Sequence, residues 1–280
     1  MPSQRPLLER HLPILRFDSR ERYFPVSAAA WTDCPGHELR RADGTVLAAT
    51  AGAAALELGF LGAERYADGV PVRPGDLIAS PGRDYHTKAE AFHDDPRYGA
   101  RVYGRARAGS DRRVWLQYRW FYFFNDYRLI GPRVPAGRHE GDWEMIQLRL
   151  DAAETEPDLA LYMHHRAVAM RPWTAVRTLG GHPVVYVARG SHGSYFTPGL
   201  HLTGAWFDHA DGRLDRGPQS LEVIDDGRAF DWIRWPGAWG GTRPRRGLRG
   251  RLDGRSPGGP GARSQLRWDD PAVLVARARR

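Results

Sequence analysis

Residues 113–124 form a long aromatic run that only a strand accommodates, and apolar and polar side chains alternate most clearly over residues 145–150. In an extended chain, residues two apart share a face. Trp115, Gln117, Arg119, Phe121 and Phe123 therefore lie on one face of the first stretch, and Val114, Leu116, Tyr118, Trp120, Tyr122 and Phe124 on the other. The second face is wholly apolar or aromatic, which predicts a central strand whose aromatics belong to the core. Further strands are predicted near residues 14–17, 101–104, 158–165 and 183–189.

Between these stretches the pattern breaks. Residues 46–59 are rich in Ala and Leu, which predicts a helix running on towards Glu64. His86 and His93 stand in loop-like surroundings and read as surface. Asp208 and Asp211 suggest a calcium loop, but its closing glutamate is missing, so residues 208–212 read as a turn. The expected architecture is mainly β: one antiparallel β-sandwich over residues 1–240 with a short helical insertion at 46–64. Residues 241–280 form an extended Arg-rich arm, flexible at first, that packs back near Trp268.

Composition narrows the classes. A hydrophobic fraction of 41% with 10 tryptophans belongs to a folded chain. Cys34 is the only cysteine, so neither an internal disulfide nor a cysteine zinc site is available. Arg5, Glu9, Arg10 and His11 interrupt the start, so no signal-peptide pattern is read there. No apolar run approaches the roughly 20 residues of a membrane span. A soluble, cytoplasmic bacterial protein is the expectation. The net charge of +8 comes from residues 241–280, where 11 arginines face 3 acids. Arginine neutralises phosphate, yet no recognition helix or single-strand-binding pattern is present, so nucleic acid is not the expected partner. Lys88 is the only lysine, and no Gly-x-Gly-x-x-Gly follows a strand, which excludes the common nucleotide loops.

Candidate chemistry gathers in His139-Glu140-Gly141-Asp142-Trp143-Glu144. Asp142 and Glu144 project together, Trp143 faces the other way, and His139 precedes a glycine that turns the backbone inward. Such a set suits a cation. The alternative is a solvated face on which the acids pair with Arg138 and Arg149. Asp126 ends the preceding strand and approaches this block if the two strands are neighbours. His192 lies in the Gly190-Ser191-His192-Gly193-Ser194 turn, as a further ligand, a general acid/base or a hydrogen-bond donor. Ser191 does not fit the Gly-x-Ser-x-Gly elbow of a serine nucleophile. The adjacent His164 and His165 should point to opposite faces, so at most one reaches the site.

These stretches carry two resemblances. The His139–Glu144 block, residues 115–118, residues 120–126 and residues 186–192 resemble the vacuolar protein sorting-associated protein sixty-two family, over roughly residues 110–240. The His-x-x-Asp-x-Glu spacing, with Trp143 between the acids, is similar to the heptapeptide of the necrosis- and ethylene-inducing peptide-like cytolysins. Those are secreted β-sandwich proteins that hold a divalent cation. The resemblance implies His139, Asp142, Glu144 and, as the earlier acid, Asp126 as metal ligands. It departs where the heptapeptide's second histidine is Gly141, and Asp126 lies farther upstream than the pattern asks.

Three classes of function follow. In the first, a divalent metal held by His139, Asp142, Glu144 and Asp126 anchors a small polar ligand, of glycan or phosphate type. In the second, the same ion serves a hydrolase or related enzyme acting on a small molecule, with His192 or His164 moving the proton. In the third, the cluster is a structural polar network with no metal. A carboxylate-weighted set favours Mg, Ca or Mn, and further histidines favour Zn or Fe.

Overall fold

Val114–Asn125 and His139–Leu150 pair antiparallel from Trp115↔Arg149 to Asn125↔His139, and the rest of the chain is arranged about this ladder. The structure, a computed structural model, describes residues 4–278 except 50–55, 81, 83, 131–133, 136, 166, 204–205, 226, 243–253 and 263–265. The amino-terminal strands are β1 (Ile14–Phe17), β2 (Glu38–Arg40), β3 (Val46–Ala49) and β4 (Leu77–Ala79). Then come β5 (Arg101–Ala108), β6 (Val114–Asn125), β7 (Arg128–Ile130), β8 (Val134–Pro135), β9 (His139–Leu150), β10 (Pro157–His164) and β11 (Ala167–Pro172). The series ends with β12 (Thr178–Leu179), β13 (His182–Val187), β14 (Ser194–Tyr195), β15 (Gly199–Thr203), β16 (Trp206–Ala210), β17 (Leu214–Asp215) and β18 (Ser220–Val223).

The main sheet has the order β11-β10-β9-β6-β5-β18. A second sheet runs β12-β13-β1-β17, with β14 on β13. Most pairs are antiparallel, as expected for this mainly β sandwich, but β1 runs parallel to β13 and β18 parallel to β5. Both parallel partners come from distant parts of the chain, where no hairpin dictates direction.

The alternation explains the layers. Leu116, Tyr118, Trp120, Ile146, Leu148 and Tyr162 face Leu15, Phe17, Val185 and Val187 of the second sheet, and this is the sandwich core. The other face of β6 and β9 is also covered. Phe121 and Trp143 lie in a tryptophan-rich layer with Trp31, Trp232, Trp235 and Trp239. Farther along, Trp115 and Met145 pack with Leu274 of the carboxy-terminal segment. All of β6 after its first residue is buried, which is why so many aromatics are tolerated in one strand.

Three expectations change. The helix expected over 46–64 is not what the described residues form. Val46–Ala49 pairs with β2, and Leu58–Phe60 is a single 3-10 turn, while residues 50–55 lie outside the described set. Pairing to β2 outweighs the helical preference of alanine, the highest of any residue but small per position. His86 and His93 sit on a helix, α1 (Tyr85–Asp94), not on a loop. Asp84 caps it by accepting from the Thr87 N–H, and Pro96 follows its end, so the start and stop signals were present in the sequence. Asp208 is a buried residue of β16 and not part of a turn. The flexibility expected for the start of the Arg-rich arm falls largely on residues outside the described set.

Gly141 decides the local geometry of β9. Its φ of +65° is left-handed, and a Cβ there would stand 1.8 Å from the Trp239 carbonyl oxygen. Both conditions demand glycine. Gly141→Ala is expected to destabilise the protein by about 3 kcal/mol or more, measured by urea unfolding, because the obstacle is backbone and not a flexible side chain. A loss below about 1 kcal/mol would show that the Trp239 segment yields easily.

Candidate functional site

Asp142 and Glu144 project from the inner face of β9, cross-strand from Tyr122 and Trp120. One Asp142 oxygen accepts from the Asn125 amide at 3.3 Å and lies 3.1 Å from His192 Nδ1. The His192 ring stacks on Tyr122 with centroids 3.7 Å apart and is fully buried. His192 is one of a few non-glycine residues with positive φ, at +59°, a conformation histidine adopts more readily than most side chains. Gly190 makes the approach possible: a Cβ there would stand 2.7 Å from the Asp126 carbonyl oxygen. The strand end at Asn125–Asp126 and the Ser191–His192 turn thus meet. Burial, and then the neighbouring Asp142 carboxylate, push Glu144 well above the usual carboxylate range.

A second buried acid organises the adjacent layer. Asp208 accepts from Ser191 Oγ at 2.7 Å and Tyr195 OH at 2.6 Å, and lies 2.9 Å from His165 Nε2. Burial pushes its carboxyl up, but the hydrogen bonds from His165, Tyr195 and Ser191 outweigh this and hold it below its ordinary value. His164 stacks on Tyr195 at 4.6 Å, so both histidines reach this one cluster. Alternation predicted otherwise. His165 has left the strand with φ +52°, and the period-two rule ends with the strand.

The expected metal set does not assemble. His139 turns its Nδ1 to the carbonyl of Gly141 at 2.7 Å, while Asp142 is engaged by Asn125 and His192. Glu144 is equally buried, and that burial holds it above the usual carboxylate range. Among the described residues, no three His, Cys, Asp or Glu side chains converge as metal ligands would. In this arrangement His139 and Asp142 are each engaged by other partners. Of the two histidines expected to move protons, His192 is sealed against Tyr122, and His164 borders a separate cavity of about 340 Å³.

A larger cleft, about 510 Å³, opens beside the His192 turn. Its walls are the residue 20–23 segment, the strand end at Asp126–Tyr127, Arg189–Gly190 and the β15–β16 hairpin through Phe207 and His209. Glu21 ties two of these walls together, accepting from the backbone N–H groups of Arg22, Tyr23 and Gly190 at 2.7–2.8 Å. His209 is fixed by Asp18 at 2.5 Å and His86 by the Tyr23 hydroxyl at 3.0 Å. Arg22 and Arg189 have no ion-pair or side-chain hydrogen-bond partner among the described residues. Of this cleft the sequence singled out Asp126 alone as a site residue. Arg20, Arg22 and Arg189 are three arginines among many, and only folding places them together.

No family model matches the chain, and no curated protein matches it either, so the resemblance to the vacuolar sorting-associated family finds no support. Two solved structures are similar. Necrosis and ethylene inducing protein 2, from the causal agent of cocoa's witches' broom disease, matches at 13% identity and TM-score 0.37, over 95% of this chain and 98% of that one. A structure described as a toxin fold for microbial attack and plant defense matches at 13% identity and TM-score 0.39, over 75% and 96%. The first bears the name of the proteins whose heptapeptide the His139 block resembles, but at these values the likeness carries no functional weight. Among the described residues, no helix is long and apolar enough to cross a membrane.

The Asp208 cluster makes a pH prediction. A carboxyl whose folded pKa is depressed contributes stability that is present above its ordinary value of 3.8 and is lost as pH falls through the folded value. Asp208→Asn is expected to lose roughly 3 kcal/mol near neutrality, since three donors lose a charged acceptor. Its stability should then fall less steeply than the parent's between about pH 4 and pH 2. Denaturant unfolding at stepped pH measures both, and parallel acid limbs would show that Asp208 is not the titrating group.

Proposed function

We propose that the protein binds a small polar ligand carrying anionic groups, of phosphate or acidic-glycan type, in the cleft beside the His192 turn. The observation that carries this reading is the pair Arg22 and Arg189, two guanidiniums lining one cavity with no carboxylate committed to either among the described residues. Arg20, His86 and His209 add donors on the same walls. Of the two acids there, Glu21 accepts from three backbone N–H groups and forms no ion pair with an arginine among the described residues. Guanidinium groups in a walled cleft favour oxyanions through paired, charge-assisted hydrogen bonds. Tyr23 and Tyr127 give flat surfaces for a sugar ring.

A hydrolytic reading is less well supported. A proton carrier would have to face the ligand, whereas His192 is buried against Tyr122 and His164 borders another cavity. Binding is therefore assigned to the basic residues, with no part given to a metal.

Calorimetric titration with inorganic phosphate and with an oligogalacturonate separates the two ligand chemistries. Arg22→Ala and Arg189→Ala are each expected to weaken binding of the preferred probe by about tenfold or more, the worth of one charge-assisted hydrogen bond. Affinity should also fall with added salt. Unchanged binding in the folded double variant would overturn the assignment.

A further inference from the structure

The outer face of the main sheet carries a second group of arginines that the cleft does not use. Arg119 on β6 is 1% exposed, and neither its Nε nor its Nη2 has a hydrogen-bond partner among the described residues. Met145 lies opposite it on β9, and Gln147, the next residue on that face, is fully buried with both ends of its amide unpaired. Over these residues lies the carboxy-terminal segment, α2 (Leu266–Asp269). Arg267 of that segment accepts at its carbonyl from Gln117 at 2.8 Å, and its own Nε is a further buried unpaired donor. Arg105 stands alongside, its guanidinium 3.6 Å from the centre of the Trp268 ring and bonded to the Trp268 carbonyl.

Counter-charge is missing from this group. Neither Arg119 nor Arg267 forms an ion pair with a described residue. Glu144 is the acid whose charge reaches them, and it projects from the opposite face of the sheet, cross-strand from Trp120. Burial, with each other's charge and that of Arg105, holds Arg119 well below the usual guanidinium range. Buried polar atoms are almost always paired, and several orphans in one place call for an unseen partner. Water would satisfy the N–H groups but would leave two positive charges uncompensated in a low dielectric. An anion answers both needs.

We infer that Arg119, Arg267 and Gln147 form a buried site for a small inorganic anion, chloride or sulfate in class, which fastens the carboxy-terminal arm to the sheet. Arg119 supplies Nε and Nη2, Arg267 supplies Nε from the arm, and the Gln147 amide supplies a neutral donor. A cavity of about 320 Å³, lined by Arg105, Arg107 and Arg234 together with Asp225 and Asp231, borders the same Arg105–Trp268 pair and offers a route for exchange. Because one donor belongs to the arm and the others to the sheet, anion binding and arm docking are linked: each stabilises the other.

The test uses the full chain, dialysed into sodium gluconate, whose anion is too large for such a site. Chloride or sulfate then replaces gluconate at constant ionic strength, while unfolding temperature and tryptic cleavage within residues 241–280 are followed. The expected result is a saturable rise of several degrees and cleavage slowed by about tenfold, for at least one of the two anions. No response, or a rise that stays linear in concentration, overturns the site. Arg119→Met should abolish the response. If that variant does not fold, Arg267→Gln, at a half-buried position on the arm, replaces it, and a full response in Arg267→Gln also overturns the proposal. Neither variant touches Arg22 or Arg189, so the result is independent of ligand binding in the cleft.

Discussion

The β6–β9 ladder is the constraint on which the other features depend. Its register, Tyr122 opposite Asp142 and Trp120 opposite Glu144, sends two carboxylates into the space between the sheets. The same register sends Phe121, Trp143, Arg119 and Gln147 to the outer face. A slip of one residue would exchange these sets and bury the charges where tryptophans now pack. Gly141 fixes that register from one end, since the Trp239 backbone rests where any larger residue would have its Cβ.

Placing acids inside a sandwich raises their energy unless donors meet them. The three acids solve this differently. Asp208 collects Ser191, Tyr195 and His165, and its carboxyl stays below the ordinary range despite burial. Asp142 is met by Asn125 and His192, while Glu144 rides well above it because burial and Asp142 both oppose its charge. The His192 turn serves both acids at once, Ser191 reaching Asp208 and His192 reaching Asp142. Backbone strain at His192 is the consequence of that double engagement. The cleft lies on the outside of the same turn, where Gly190 accepts no side chain and Arg189 reaches outward. Polar support behind the turn and ligand contact in front of it are thereby separated.

Around Arg119 and Arg267 the outer face has the opposite problem, positive charge with no ion-pair partner among the described residues. Trp268 relieves part of it, its ring centre lying 3.6 Å from the Arg105 guanidinium and 5.3 Å from that of Arg119, while the Nε groups of Arg119 and Arg267 stay without hydrogen-bond partners among the described residues. That imbalance distinguishes the arm from an ordinary apolar strap such as Leu274 makes on Met145 and Leu161.

The sequence by itself determined the elements with a strong period. Residues 113–124 could only be a buried strand, and Asp142 and Glu144 could only share its neighbour's face, because alternation is a property of the extended backbone. The strand at Ile14–Phe17 was legible for the same reason. What alternation cannot encode is which distant segments meet. Asp208 read as a turn residue because its three donors come from residues 165, 191 and 195, far from it in sequence. His139 and Asp142 read as co-ligands because spacing shows that two side chains are near, not where each ring or carboxylate turns. Arg22 and Arg189 of the cleft were invisible for a related reason: their significance lies in having no ion-pair partner among the described residues, and only tertiary structure decides which charges are left unpaired.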